Sequence, residues 1–272
     1  MIRLGTTSYI IPDAIIPNVR FLSGKVQDVE LVLFESKEAS NLPTAQEIQT
    51  LALLARQGDL TYTVHFPLDV WPGAADETLR RTAVETYLRI IRLTDPLPVF
   101  SYVLHLTPEA WGAVPSTDMD RWLSQLDRSL QELTGESGVD PSRFCAETLS
   151  YPFSLVLPLV RRHHLSVTLD IGHIWLMGYD AGRAARQLLP AARIIHIHGV
   201  RDGKDHRSLA DGDPRLVDAF LSQVVRQEAQ DGVDRVVTIE VFGQEEFFSS
   251  KPLLEKPLRR ILAPTRHEHG DD

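Results

Sequence analysis

Metal-binding side chains recur at one kind of place along this chain. The segments Val64-His65-Phe66-Pro67, Leu104-His105-Leu106, Ala146-Glu147-Thr148, Leu169-Asp170-Ile171-Gly172-His173, His196-Ile197-His198 and Thr238-Ile239-Glu240-Val241 each close a short β-rich stretch on a His, Glu or Asp. One such residue means little, since a lone strand histidine is usually a hydrogen-bonded core residue and a lone buried glutamate is usually salt-bridged. Six in succession at one level need a common cause. Converging carboxylates repel each other and are costly to bury. A divalent cation removes that cost and takes both residue types as ligands. The expected ligands are His65, His105, Glu147, Asp170, His173, His198 and Glu240, with Asp205 or His206 adding a contact from the next loop.

Strand parity supports this reading. Thr61, Thr63 and His65 share a face, as do Arg143, Cys145 and Glu147, Ser166, Thr168 and Asp170, and Val236, Thr238 and Glu240. The ligand candidates therefore lie on faces that also carry small or polar residues, as the inside of a barrel would. Cys145, two residues below Glu147, reads as core packing. His173 can reach the Asp170 cluster through the turn at Gly172; the blander reading is a loop histidine capping the next helix. His196 and His198 point the same way, and His198, nearer the strand end, is taken as the ligand with His196 behind it.

Other residues suggest supporting roles. The run Gly199-Val200-Arg201-Asp202-Gly203-Lys204-Asp205-His206-Arg207 is dense in charge. Arg201, Lys204 and Arg207 are expected to neutralise a phosphate. Glu35 ends the second strand and is expected to act as a general base or to bond substrate. Gly5-Thr6-Thr7-Ser8-Tyr9 reads as a pocket floor with hydroxyl donors, Tyr9 among the substrate contacts. There is no Gly-x-Ser-x-Gly elbow, P-loop or Cys-x-x-Cys pair.

The elements that must position these residues alternate. Strands are expected near Ile2–Thr6, Val29–Phe34, Thr61–Phe66, Ser101–Leu106, Arg143–Thr148, Ser166–Asp170, Arg193–His198 and Arg235–Val241. Amphipathic stretches at Thr44–Gln57, Glu77–Leu93, Asp118–Leu133, Pro152–His163, Ala181–Leu189 and Pro214–Gln230 separate most of them, and a last helix is expected near Leu253–Leu262. Asp213 before Pro214 reads as a helix start. Such alternation implies parallel strands with helical crossovers. Eight repeats without a Gly-rich loop after the first strand favour a closed (β/α)8 TIM barrel over a doubly wound sheet. One catalytic domain is expected over 1–264, with a disordered tail over 265–272. In such a barrel the strand C-termini build the active site, which is where the ligand candidates fall.

Composition bounds the partners. At 272 residues with 43% hydrophobic content, the chain can bury a large core without a staple. A net charge of -9 argues against backbone binding of nucleic acid and favours a small-molecule substrate. A single cysteine, no signal-peptide pattern and no long apolar run point to a cytoplasmic protein with no membrane partner.

At its ligand residues the chain resembles the xylose-isomerase-like barrel superfamily, which includes sugar isomerases, sugar epimerases and endonuclease IV-type phosphodiesterases. The endonuclease branch is similar in holding three zinc ions on histidines after strands three and four, then Glu, Asp-x-x-His, His, Asp-x-His and Glu. That order falls on His65, His105, Glu147, Asp170 with His173, His198, Asp205 or His206, and Glu240. The Asp-x-His element is not intact, because Asp205 and His206 are adjacent. Isomerases and epimerases of the superfamily rely mainly on a Glu, Asp, His and Glu quartet around one metal; the extra histidines here favour a multinuclear site suited to hydrolysis. Gly5–Pro12, Val29–Ser36 and His196–Arg207 resemble, more narrowly, the cobamide-remodelling phosphodiesterase family. The resemblance implies hydrolysis of the phosphoribosyl linkage in the nucleotide loop of vitamin B12-type cofactors. It implies two or three ions, zinc first with manganese or iron as alternatives, held by the set above with His206, and water oriented by Glu147 or Glu240. The alternative is a sugar isomerase or epimerase using Glu147 and Glu240 as an acid–base pair; a barrel that only binds its ligand is a third reading.

Overall fold

The computed structural model describes residues 1–35, 39–259 and 262. Eight parallel strands close a barrel: β1 (Ile2–Thr7), β2 (Asp28–Val32), β3 (Thr61–His65), β4 (Val99–Leu104), β5 (Phe144–Glu147), β6 (Ser166–Asp170), β7 (Ala192–Ile197) and β10 (Arg235–Ile239). β1 pairs with both β2 and β10, so no barrel edge is left open. The tail expected over 265–272 lies outside the described residues.

Helices cover the barrel: α1 (Ile15–Leu22), α2 (Ala45–Gly58), α3 (Glu77–Thr94), α4 (Met119–Glu136), α5 (Leu157–Arg162), α6 (Ile171–Leu176), α7 (Ala181–Leu188), α8 (Pro214–Asp231) and α9 (Gln244–Leu258). Their starts follow side-chain chemistry. Thr44 and Glu47 form a reciprocal capping box on α2, and Asp76, Asp118, Asp180 and Asp213 each accept a backbone N–H at the start of α3, α4, α7 and α8. The sequence reading names no helix between the first two strands. The N-cap of α1 is Ala14, which makes no side-chain cap bond, so the usual start signal is missing. α9 begins at Gln244 rather than Leu253.

Two apolar layers follow from strand alternation. Val29 and Leu31 on β2 with Leu33 just past it, Tyr62 and Val64 on β3, and Val237 and Ile239 on β10 face the helices and join one large core. Inside the barrel Val103, Cys145 and Ile194 pack as a small separate cluster. Cys145 is therefore interior packing, as its parity with Glu147 predicts.

Past β7 the charged run is not a plain loop. β8 (Gly199–Arg201) and β9 (Lys204–Arg207) pair antiparallel as a hairpin. Asp202 and Gly203 form its tip, both with positive φ. This is the conformation that Asp-Gly favours in a two-residue hairpin turn.

Candidate metal centre

Register brings the ligand residues to one level at the C-terminal mouth. Asp170 ends β6 opposite His196 of β7, and His196 lies opposite Thr238 of β10. His65 ends β3 and Glu147 ends β5, while His105, His198 and Glu240 stand one residue past β4, β7 and β10. Asp170 is also the N-cap of α6, and its Oδ1 accepts the His173 backbone N–H at 2.9 Å. His173 is thus in the first turn of a helix rather than in a loop. Gly172 beside it matters because an added Cβ would collide with the His198 ring.

The side chains form three adjoining donor sets, the ligand atoms of each lying within 4.8 Å of one another: His65, His105 and Glu147; Glu147, Asp170, His196 and Glu240; and His173, His198 and His206. Glu147 belongs to two of them. Its Oε2 is 2.8 Å from His105 Nε2 and 3.4 Å from His65 Nε2. In the second set His196 Nδ1 is 3.1 Å from Glu240 Oε2 and 3.4 Å from Glu147 Oε1. In the third, the His198 and His206 rings stack with centroids 4.5 Å apart. Below them Glu30 of β2 comes equally close to His65 and Glu240.

Tautomers are set by acceptor-only partners. His65 Nδ1 is 2.8 Å from the Phe66 carbonyl oxygen and His173 Nδ1 is 3.1 Å from that of Thr148. A carbonyl only accepts, so each Nδ1 carries a hydrogen, which leaves Nε2 as the nitrogen that would turn to a ligand.

The charge balance calls for a cation. Burial works to raise the carboxyls of Glu147 and Glu240, but neighbouring histidines, His105 and His196 for the first and His196 and His206 for the second, hold both well below the usual range. Burial likewise works to lower His173 and His206. Asp170 foremost lifts His173 to about 10, and Glu240 foremost lifts His206 to about 9. Even so, Glu147 Oε1, Asp170 Oδ2, His196 Nδ1, His198 Nε2 and Glu240 Oε2 are buried without a hydrogen-bond partner. Convergent, orphaned donor atoms of this mixture fit divalent metal, with zinc, manganese and iron all compatible with nitrogen and carboxylate ligands.

Several expectations need correction. His196, placed behind the ligands by the sequence reading, is in the carboxylate quartet, and His198 joins the histidine trio instead. The broken Asp-x-His element does not cost the third set, because the hairpin turns His206 onto His198. Asp205 stays at its edge, 3.8 Å from His173 Nε2. Glu35 does not reach the mouth: past β2 it faces outward, 3.3 Å from Arg89 of α3, and accepts a hydrogen bond from Ser40. Arg201, Lys204 and Arg207 line a separate cleft of about 250 Å³ with Asp202 and Asp211, bordered by no ligand candidate. Arg201 is 3.3 Å from Asp211 there. The Tyr9 hydroxyl accepts from Asn41 rather than joining the donor sets. The sequence reading missed Glu30, which is fully buried on β2 with its Oε2 2.8 Å from His196 Nε2. The signal was present: Val29, Leu31 and Leu33 mark the outer face, so Asp28 and Glu30 face inward.

This fold and its mouth agree with a match of residues 26–262 to the family described as xylose isomerase-like TIM barrel. The chain belongs to that family. Among solved structures it is similar to a D-tagatose 3-epimerase-like protein at 20% identity, with a TM-score of 0.75 over 95% of this chain and 98% of that one. Endonuclease IV from Thermus thermophilus aligns at 18% identity and a TM-score of 0.70, over 95% of this chain and 99% of the other. The IolI protein, solved with a binding zinc atom, aligns at 16% identity and a TM-score of 0.72, over 96% and 100% of the two chains. No curated protein matches the sequence. Among the described residues no helix is long and apolar enough to cross a membrane.

Proposed function

We propose that this member of the family is a metal-dependent phosphodiesterase acting on a small molecule, with the nucleotide loop of a cobamide as the substrate. One observation carries the reading: the three adjoining donor sets, two of which share Glu147. A single-metal isomerase needs only the quartet, whereas His65, His105, His173, His198 and His206 supply donors for further ions. Bound divalent ions in such a centre activate water and neutralise charge on the attacking and leaving oxygens. The chain's own residues do the rest. Glu147 ties the first set to the second, and Glu240 and Asp170 hold the quartet from strands on either side of His196. Trp111 stands edge-on to His173 at 6.3 Å, and Phe242 lies 5.1 Å from the His206 ring, so aromatic groups flank the third set. With the cationic trio turned into its own cleft, the phosphate charge must be met at the centre itself. The cobamide substrate rests on the resemblance of Gly5–Pro12, Val29–Ser36 and His196–Arg207, and the net charge of -9 fits a substrate other than DNA.

A second reading, a sugar isomerase or epimerase, is favoured by the comparisons, in which an epimerase-like protein shares the fold. It would use Glu147, Asp170, His196 and Glu240 around one ion, with the two glutamates as acid and base. One assay separates the readings: the metal-loaded protein is given a complete cobamide in one reaction and free ketoses in another. Release of the nucleotide-loop products with no ketose turnover is the expected result. Ketose epimerisation without cobamide cleavage would put the second reading first.

A further inference from the structure

The quartet holds a histidine whose two ring nitrogens face different partners. His196 is fully buried, with Nε2 2.8 Å from Glu30 Oε2 on β2. Its Nδ1 points the other way, toward Glu240 and Glu147, and has no hydrogen-bond partner. Nε2 makes the ring's hydrogen bond, to Glu30 Oε2, so that nitrogen carries a hydrogen. Nδ1 makes none and is the nitrogen that a divalent ion in the quartet would take. His65 and His173 are arranged the opposite way, with Nδ1 carrying the hydrogen against a backbone carbonyl. His196 lies on β7, and Glu30 of β2 reaches it across the barrel interior.

We infer that Glu30 is a positioning residue that presents His196 to a divalent ion through Nδ1. A carboxylate behind a ligating imidazole fixes its tautomer and ring orientation and makes the nitrogen a better donor. His65 and Glu240 also belong to sets without Glu30, but the three together form a donor set of their own, in which Glu30 would be a ligand, and the test separates that role from positioning. The inference rests on the metal-centre reading, and its test separates the two.

The protein is labelled with 15N-histidine, loaded with zinc, and observed by long-range 1H–15N correlation, with the His196 resonances assigned by their absence in His196→Gln. Zinc on Nδ1 and hydrogen on Nε2 is the expected pattern. Zinc on Nε2 would overturn the inference while leaving a metal centre in place, whereas absence of any bound zinc would overturn both. Zinc affinity is measured in parallel by competition with a chromogenic chelator, and bound ions are counted by native mass spectrometry. Glu30→Ala is expected to weaken one ion by about 10- to 100-fold. Glu30→Gln keeps an acceptor oxygen and should lose less. Wild-type affinity in both variants, or loss of a whole ion in Glu30→Gln as expected of a ligand, would sink the positioning role. Melting curves of the metal-free proteins identify a variant that fails to fold, and the wild-type spectrum decides the tautomer without any variant.

Discussion

Glu147 is the residue on which the centre turns, because two donor sets meet at its carboxylate. Removing it should therefore do more than removing a terminal ligand. Glu147→Ala is expected to reduce the ion count by more than one, and His105→Ala by one at most. A ligand set of this kind contributes several kcal/mol of charge stabilisation, so turnover in Glu147→Ala should fall by about a thousandfold or more. Equal ion counts in the two variants would show that the sets are independent. Most of this centre was legible in the sequence because period-two alternation and strand ends can be read directly. The failures have physical reasons. Glu35 follows from the strand-end rule alone, but it shares the parity of Val29, Leu31 and Leu33, which mark the outer face, whereas Glu30 has the inward parity. His196 and His198 have the same parity, so alternation alone could not say which nitrogen enters the quartet; the pairing of His196 with Asp170 and Thr238 decides it.

The elements that carry these residues are held from the opposite end of the barrel. Arg235, the first residue of β10, is 1% exposed, and its guanidinium donates to the carbonyls of Ala192, Leu189 and Val233. It also bonds both Asp231 oxygens, at 2.9 and 2.7 Å, so the end of α8 is tied to β10 and β7. The Arg235 side chain holds the Asp231 carboxyl far below the usual carboxylate range. A depressed carboxylate contributes stability above its unfolded value, near pH 4, and loses it as pH falls through the lower folded value. Asp231→Asn should lose about 1 kcal/mol at neutral pH, because Asp231 is exposed and screened by solvent and three carbonyls still engage Arg235. That corresponds to roughly 2–4 °C in Tm. The deficit should shrink as pH drops below 4, and a deficit constant from pH 7 to pH 3 would contradict the ion-pair account. At this scale the sequence was readable at Asp213, whereas the capping signal of Thr44 with Glu47 and the turn signal of Asp202-Gly203 were present but not named. The reading ran out at α1, which lacks a side-chain cap and is held instead by packing: Ile15, Val19 and Leu22 are buried in the core.

Across the whole molecule, stability and chemistry occupy different layers. The apolar core between strands and helices includes none of the ligand side chains, so the barrel should fold without its ions. Near neutral pH, protons take their place: His173 and His206, lifted to about 10 and about 9, are charged when no ion is bound. A histidine must lose its proton to ligate. Ion binding should therefore release protons, and zinc affinity should rise with pH until those histidines have titrated, near pH 9–10. Calorimetric titration of zinc at pH 7 in buffers of different ionisation enthalpy measures that release. Because an ion binds the folded state, zinc at a hundredfold excess over its dissociation constant should add about 2.7 kcal/mol, or roughly 5–11 °C in Tm. Chelation should reverse the shift and abolish turnover while leaving the far-UV circular dichroism in place. Loss of helical signal on chelation would make the ions part of the fold. Zinc binding with no proton release at pH 7 would mean that the histidines are not the groups the ion engages.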